Sequence, residues 1–206
     1  MAGQIHFQQN NNFTVYFIFY KDQDRVITIE SIMLSLLQIS TIHKLWPAGI
    51  ALYISAFPPD ERREPSELIE VLNESMHRFH AIVEKEQFVG IMETWDFTDF
   101  IFLEHLAIKP ELQNKGYGST SLEYLKNMVN KPILLEAEIP VDHVSKQRID
   151  FYEKAGFKAI NIDYTQPPYY PKKVSVPMLL LSDYPVSLSD AYSYISIISK
   201  KVYKIE

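Results

Sequence analysis

Two closely spaced glycines follow a long apolar stretch, in a pattern that suits the binding of a phosphate group. Residues 100–108 are almost continuously apolar, which favours a strand buried on both faces. Lys109-Pro110 ends that strand, because proline has no N–H to donate to a neighbouring strand. Gly116 and Gly118 then open a helical pattern, so backbone N–H groups can approach a ligand at the positive end of a helix dipole. The sequence therefore predicts a pyrophosphate cradle.

Glu104 interrupts the apolar stretch and is the first candidate for a chemical role. A buried carboxylate is costly unless it is paired, bound to a ligand or functional. Side-chain alternation along a strand places Glu104 on one face with Phe102 and Leu106. The same alternation directs His105 to the other face, where we expect a core or structural histidine. One face of this strand is thus predicted to meet a cleft.

Two segments resemble motifs of the GNAT superfamily of N-acetyltransferases. The first is Gln113-x-x-Gly116-x-Gly118, which follows a strand, opens a helix and matches the superfamily's acetyl-CoA-binding motif Gln/Arg-x-x-Gly-x-Gly/Ala. The second is Arg148–Phe157, which is similar to a later helix that ends in Phe-Tyr-x-x-x-Gly-Phe. As a layout the resemblance covers residues 25–182, and its specific motifs lie within 101–157. It implies transfer of an acetyl group from acetyl-CoA to a primary amine, by direct attack in a ternary complex.

The resemblance also implies how acetyl-CoA, the acyl donor substrate, is held. The end of the strand Phe100–Ile108 would bind the pantetheine arm through the backbone of Leu106, Ala107 and Ile108. In the superfamily this strand end carries a bulge and splays from the neighbouring strand. The glycine-containing loop would donate N–H groups to the pyrophosphate, with a charge-assisted contact from Lys115. Its residues are Gln113, Asn114, Lys115, Gly116, Tyr117, Gly118 and Ser119.

Acetylation of an amine requires that the ammonium lose a proton and is helped by protonation of the departing thiolate. Tyr152 matches a superfamily tyrosine that often lies near the cofactor sulfur, and its alternative role is that of a core residue. Glu104 is a candidate general base, or else a structural carboxylate bonded to a helix or to Arg148. Glu136 and Glu138, on the neighbouring strand, are competing carboxylates. No metal ligand set is predicted.

The expected fold class is α/β (α+β), with a mixed, mostly antiparallel central sheet flanked by helices, as in acyl-CoA N-acyltransferases. Residues 1–24 form an extension of uncertain role, with a strand at Phe13–Tyr20 after polar residues 8–12, and residues 25–206 form the acetyltransferase domain. The predicted strands of that domain are Val26–Ser31, Phe79–Lys85, Phe88–Trp95, Phe100–Ile108, Ile133–Ile139, Phe157–Ile162 and Val174–Leu181. Its predicted helices are Ile42–Phe57, Pro65–Met76, a helix opened by Gly116 and Gly118, Ser145–Ala155 and Asp190–Tyr203.

Two loops have open roles. The charged segment Pro58–Pro65 is expected to be a solvated loop, with substrate selection as the functional alternative. The segment Asp163–Lys173 holds three tyrosines and three prolines. It is expected either to lie over a substrate pocket or to pack against its own hairpin. The position of Pro177 in the last strand indicates an edge or a bulge.

Composition limits the class of protein and its partners. The 206 residues are 47% hydrophobic and 13% aromatic, which is ample for a folded core. The chain has no cysteine, which fits a reducing cytoplasm. Its net charge of -6 suits a positively charged amine acceptor and gives no sign of a nucleic-acid partner. We predict a cytoplasmic enzyme with no membrane partner. A homodimer and the identity of the acceptor stay open.

Two alternatives compete with the acetyltransferase interpretation. A dinucleotide-binding oxidoreductase also has glycines at the start of a helix, with Glu138 at a suitable distance for a ribose contact. However, Ser121 replaces its third glycine, and Lys109–Lys115 separate the strand from the first glycine. The second alternative is a non-catalytic acyl-CoA-binding sensor or interaction module that uses the same cradle.

Overall fold

The computed structural model describes residues 5–10, 13–18, 34–170 and 174–205, and it gives the backbone alone for the first two ranges. In these residues the strands are β1 (Ile5–Asn10), β2 (Phe13–Ile18), β3 (Leu34–Gln38), β4 (His77–Glu84), β5 (Gln87–Asp96), β6 (Ile101–Ile108), β7 (Ile133–Glu138), β8 (Lys158–Ala159), β9 (Tyr164–Gln166) and β10 (Val176–Ser182). The helices are α1 (Trp46–Ala56), α2 (Pro65–Val71), α3 (Tyr117–Met128), α4 (His143–Lys154) and α5 (Leu188–Lys201).

Among the described residues, eight strands form one sheet in the order β3-β4-β5-β6-β7-β10-β8, with β9 also paired to β10. Neighbouring strands run antiparallel, except for β6 and β7, which run parallel with α3 as their connection. This arrangement confirms the predicted mixed, mostly antiparallel sheet. The strands β1 and β2 form a separate antiparallel pair.

Helices cover the two faces of the large sheet and define two core layers. One layer, here called the α1 face, buries residues of α1, α2 and α5 against the sheet, among them Trp46, Tyr53, Leu68 and Ile198. The other, here called the α3 face, buries residues of α3 and α4, among them Leu122, Leu125 and Tyr152. The sheet is therefore covered on both sides, as the apolar run of β6 predicts.

Several predicted elements differ in extent from those observed. Helix α2 ends at Val71 rather than Met76, since Asn73 and Ser75 favour turns over helix. The predicted strand Phe157–Ile162 shortens to β8, while β9 forms inside the segment expected to be a loop. Pro177 pairs with Thr165 of β9 just before the pairing of β10 with β7 begins, as expected for a strand edge.

The amino-terminal extension contains β2, which confirms a strand in the predicted segment Phe13–Tyr20. Gln8, Gln9 and Asn10, expected in a loop, belong instead to β1. The predicted strand Val26–Ser31 lies outside the described residues. No helix in the described part of the chain is long and apolar enough to span a membrane.

Candidate active site

The candidate site lies at a gap between the parallel strands β6 and β7. These strands pair only from Ile101–Ile133 to Leu103–Leu135, although β6 continues to Ile108 and β7 to Glu138. Beyond the last pair a cavity of about 580 Å³ opens, with residues of both strands in its wall. The separation predicted for this strand end is therefore present, and it leaves backbone groups of β6 without a partner on β7.

A β-bulge in β6 determines which side chains reach this gap. Glu93 of β5 is opposite His105 and Thr94 is opposite Leu103, so Glu104 is the extra residue. Because of the bulge, Glu104 and His105 both lie on the α1 face, whereas Leu106 packs on the α3 face. The prediction from simple alternation, with His105 opposite to Glu104 and Leu106 beside it, was wrong for this reason.

The glycine-containing loop forms the amino-terminal end of α3 at the cavity wall. Gly116 is the N-cap residue with φ of 88°, a left-handed conformation that favours glycine, and no side chain caps the first turn. A Cβ on Gly118 would lie 3.1 Å from Cζ of Phe151, so the missing side chain lets α4 approach the start of α3. Both glycines and Ser119 line the cavity. The free first-turn N–H groups fit an anionic ligand there.

The other predicted cofactor residues divide into two groups. Those that line the cavity are Leu106, Ala107, Ile108, Gln113 and Asn114. The side chain of Gln113 also donates a 3.1 Å hydrogen bond to the carbonyl of Ile108, which ties the loop to the end of β6. Lys115 is exposed and lies outside the cavity wall, and the Tyr117 hydroxyl donates to Glu84 on β4 at 2.6 Å.

Tyr152 lies on the α3 face of the cavity, in helix α4. A capping box of Asp142 and Ser145 starts this helix, and Gly156, with φ of 90°, follows its end. Tyr152 is 9% exposed and lines the cavity, and its hydroxyl has no hydrogen-bond partner among the described residues. Burial raises the pKa of Tyr152 above its ordinary value, so the hydroxyl keeps its proton and can donate it.

Glu104 lies on the α1 face of the cavity and accepts hydrogen bonds from three side chains. The donors are the Arg63 guanidinium, Nε1 of Trp95 at 2.5 Å and the hydroxyl of Tyr169 at 2.9 Å. The side chain of Glu104 is 1% exposed. Its partner is Arg63, while the alternative partner Arg148 pairs with Glu138. These bonds favour a structural role for Glu104, and its role as a general base stays a prediction.

A second buried carboxylate extends this hydrogen-bonded network. Glu93 accepts from Nδ1 of His105 and Nε2 of His77, each at 2.7 Å, and these bonds hold its pKa well below the ordinary range although burial alone would raise it. Nε2 of His105 donates to the carbonyl of Glu61 at 3.0 Å. Burial alone would lower the pKa of His105, but its bond to Glu93 raises it, so both ring nitrogens carry protons. His105 is thus a structural histidine, as expected.

Arg63 balances the charge of this network. It contacts both carboxylates, Glu104 directly and Glu93 at 3.7 Å, and its Nη2 donates to the carbonyl of Val202 at 2.8 Å. The cations Arg63 and His105 therefore compensate the anions Glu93 and Glu104. Ligand atoms of His77, Glu93 and Glu104 lie within 4.8 Å of one another, but the guanidinium already contacts both carboxylates, which argues against a metal ion there.

Glu136 is a carboxylate of the cavity wall whose pKa is raised above its ordinary value. It lies on the α1 face and accepts hydrogen bonds from the hydroxyls of Tyr164 and of Tyr203, the latter at 2.6 Å. Burial raises the pKa of Glu136 to about 7, although the two tyrosine bonds lower it. A carboxylate with this pKa can take up and release protons near neutral pH.

The two loops of open role both reach the cavity. Tyr164 and Tyr169 from the 163–173 segment bond Glu136 and Glu104, so the described part of that segment lies over the pocket. In the 58–65 segment, Arg62 and Arg63 are buried, and the expectation of a solvated loop was wrong for them. Arg62 donates to the carbonyls of Phe57 and Arg63, and Arg63 pairs with the buried Glu104; composition alone does not reveal these contacts.

Arg63, Tyr164 and Tyr203 are residues of the site to which the sequence assigned no role. The buried position of Arg63 depends on Glu104, 41 residues away, and on Val202, 139 residues away. The cluster of tyrosines in 163–173 was a usable signal for Tyr164, since buried tyrosines seek partners for their hydroxyls. Tyr203 gave no such signal, because it is the last residue of the predicted helix Asp190–Tyr203, and the sequence does not show what that residue packs against.

Comparison with known proteins gives matches at the levels of family and fold. The family model described as "Acetyltransferase (GNAT) family" matches residues 46–157, which include Gly116, Gly118 and Tyr152. The curated Bacillus subtilis (strain 168) protein "Putative acetyltransferase YjbC" is 31% identical over 105 residues, 50% of this chain and 52% of that protein. The chain therefore spans about half the length of this relative.

Solved structures extend the similarity over most of the chain. A "Putative acetyltransferase from GNAT family from Bacteroides thetaiotaomicron" has a TM-score of 0.78 and 32% identity, covering 84% of this chain and 99% of its own. An aminoglycoside 6'-N-acetyltransferase complexed with coenzyme A has a TM-score of 0.52 and 16% identity, covering 75% of this chain and 98% of its own. The second similarity concerns the fold alone.

Proposed function

Because this chain belongs to the acetyltransferase (GNAT) family, we propose that it transfers the acetyl group of acetyl-CoA to a primary amine by direct attack within a ternary complex. One observation carries the proposal. The cavity between β6 and β7 has Glu136 in its wall on the α1 face and Tyr152 in its wall on the α3 face. An amine and a thioester that meet in this gap would have a proton acceptor on one side and a proton donor on the other.

The cofactor half of the cavity is the α3 face. Bound acetyl-CoA supplies the activated acyl group, so the protein needs no nucleophile of its own. The left-handed N-cap at Gly116 and the uncapped first turn of α3 fit the pyrophosphate, and the unpaired end of β6 fits the amides of a pantetheine arm. Support for this ligand also comes from the coenzyme A complex of the aminoglycoside acetyltransferase with the same fold.

Glu136 is proposed as the general base. The ammonium form of the acceptor must lose a proton before its nitrogen can attack, and a group with a pKa near the working pH is suited to accept it. The pKa of Glu136, which burial raises to about 7, meets that requirement. Glu104 is a weaker candidate because it forms an ion pair with Arg63 in addition to two hydrogen bonds, whereas the partners of Glu136 are two neutral tyrosine hydroxyls.

Tyr152 is proposed as the general acid. A tyrosine hydroxyl whose pKa is raised by burial stays protonated, and this hydroxyl has no acceptor among the described residues. It is thus able to donate to the sulfur that leaves when the amide forms. Its position in the cofactor half of the cavity supports this role.

Replacing Tyr152 by Phe tests that role. The variant keeps the ring packing against Phe151 and Phe157 but removes the hydroxyl. We expect kcat to fall about 10²–10⁴-fold, with little change in the affinity for acetyl-CoA, measured by steady-state kinetics and calorimetry. Tyr124→Phe is the control, since this half-exposed tyrosine lies in α3 outside the cavity wall. An unchanged kcat would show that the sulfur leaves without help from Tyr152.

Replacing Gly118 by Asp tests the pyrophosphate cradle. A carboxylate in the first turn suits the helix dipole, so α3 is expected to persist, with a small shift of Phe151 to admit the new Cβ. The same carboxylate would repel an anionic ligand, and we expect a large loss of acetyl-CoA affinity by calorimetry. Gly118→Ala separates the two effects, because it adds the Cβ without the charge. Equal affinity of all three proteins would refute the cradle.

The proposed function as a whole is tested by incubating purified protein with acetyl-CoA and a panel of primary amines. Release of the CoA thiol and the mass of the product are the measurements. We expect at least one amine to gain an acetyl group at a rate that saturates with both substrates. Saturable acetyl-CoA binding without transfer to any amine would instead indicate a non-catalytic acyl-CoA-binding module.

A further inference from the structure

Gln166 has a buried side-chain amide that the fold leaves without a partner. The residue is 2% exposed and lines the cavity between β6 and β7. Its Nε2 is buried and has no hydrogen-bond partner among the described residues. Gln166 and Tyr164 are buried and Thr165 is exposed, so Gln166 lies on the same face of β9 as the tyrosine that binds Glu136.

An unpaired amide at this position requires an explanation. Leaving a buried donor unsatisfied destabilises a fold, so an apolar side chain of similar size would stabilise this position better. Such a group is expected where a ligand supplies the missing acceptor. The sheet connects Gln166 to the proposed site. Tyr164, on the same face of β9, is paired with Met178 of β10, which is paired with Glu138 of β7, and both Met178 and Glu138 line the cavity.

The charges in the wall of the cavity that Gln166 lines restrict the kind of oxygen that it can bind there. Glu61 and Glu138 line the same cavity, and burial together with the nearby Glu138 raises the pKa of Glu61. Arg148, which also lines the cavity, already pairs with Glu138. The net charge of these three wall residues is therefore negative or neutral, which disfavours an acceptor with a free carboxylate and admits one with a neutral oxygen.

We propose that the side-chain amide of Gln166 donates a hydrogen bond to a neutral oxygen of the acceptor, which is therefore a primary amine with an amide carbonyl or a hydroxyl close to the amino group. This inference rests on the proposed transfer to an amine. Gln166 fixes the acceptor through that oxygen, and Glu136 takes the proton from its nitrogen. Simple alkylamines and amino acids with a free carboxylate are poorer acceptors, because the first leaves Gln166 unpaired and the second is repelled.

Four small acceptors and the variant Gln166→Met test the inference. Glycinamide and ethanolamine carry a neutral oxygen, glycine carries a carboxylate and propylamine carries neither. For each acceptor, the ratio of kcat/KM between variant and wild type cancels the difference in amine basicity. For one or both of the oxygen-bearing acceptors, we expect the kcat/KM of the variant to be about 10–100-fold lower than that of the wild type, which matches one missing hydrogen bond. For propylamine, we expect kcat/KM to be almost unchanged. A larger loss for glycinamide than for ethanolamine identifies the carbonyl, and the reverse identifies the hydroxyl.

A binding measurement separates this inference from the proposed function. Calorimetry of glycinamide and ethanolamine with protein saturated with CoA requires no turnover. Affinity that depends on Gln166 without any transfer would support the inference and refute the function. Equal ratios for all four acceptors, or no binding by the wild type, would overturn the inference. Thr165→Val, on the exposed face of β9, is the matched control, and Gln166→Leu replaces the methionine variant if that variant does not fold.

Discussion

Glu136→Gln is expected to lower kcat/KM about 10²–10⁴-fold and to abolish its rise with pH through about 7. The substitution keeps the shape of the side chain but removes the site that accepts the proton. The sign follows from the raised pKa of Glu136, because the carboxyl is protonated below about 7 and cannot act as a base there. Initial rates over a pH series, at acceptor concentrations well below KM, measure the effect.

Glu138→Gln is the matched control for this variant. Glu138 lies two residues further along β7 and lines the same cavity, but it pairs with Arg148. Its replacement is expected to leave the rise with pH in place. A Glu136→Gln protein that retains the wild-type rate and pH profile would show that positioning alone accelerates the transfer.

Tyr203→Phe gives an independent check on the same group. The hydroxyl of Tyr203 lowers the pKa of Glu136, together with Tyr164 and the positive charge of His105, while burial and the negative charge of Glu104 raise it. Without the Tyr203 hydroxyl, the pKa of Glu136 rises, and the increase of kcat/KM moves to higher pH. A role of Tyr203 in packing alone would change stability and leave the pH profile where it is.

The cofactor half of the site was predictable because its signals are local. The apolar run that becomes β6, the proline after it and the glycine pair before α3 lie within 19 consecutive residues, from 100 to 118. The position of Gly116 has a left-handed conformation that few other residues adopt, and a glycine just before a helical pattern indicates such a conformation. The helix with Tyr152 has similarly local signals in its cap and in Gly156.

The cavity wall on the α1 face was less predictable because distant contacts build it. The residue types around Glu104 do not show where the bulge lies, since a bulge depends on the register with β5; the family resemblance implied one only for the strand end. Without the bulge, alternation directs His105 away from Glu104. The sequence therefore does not predict the network of Arg63, His105, Glu93 and Glu104. The environment of Glu136 depends likewise on Tyr164 and on Tyr203, 28 and 67 residues further along the chain. Burial decides the protonation of Glu136, and burial is a property of the whole fold.

The charge network makes a strong prediction about stability through Arg63. Arg63 lies 4% exposed between two buried carboxylates and stacks on Tyr169, with its Cζ 4.8 Å from the ring centre. Arg63→Met keeps much of the side-chain volume and removes the charge, which leaves Glu104 as an uncompensated buried anion. Breaking a buried ion pair from one side typically costs about 3–5 kcal/mol, a large part of the total stability of a domain.

Urea denaturation of four proteins tests this expectation: wild type, Arg63→Met, Glu104→Gln and the double variant. We expect Arg63→Met to lose about 3–5 kcal/mol, and the double variant to lose less than the sum of the two single losses, because the second change removes the anion that the first left unpaired. Arg78→Met is the control, since within the described ranges its guanidinium donates to two backbone carbonyls and to no carboxylate. Additive losses would mean that Arg63 and Glu104 act independently. Glu104 would then not be needed to compensate the charge of Arg63, and it would again be a candidate for the general base beside Glu136.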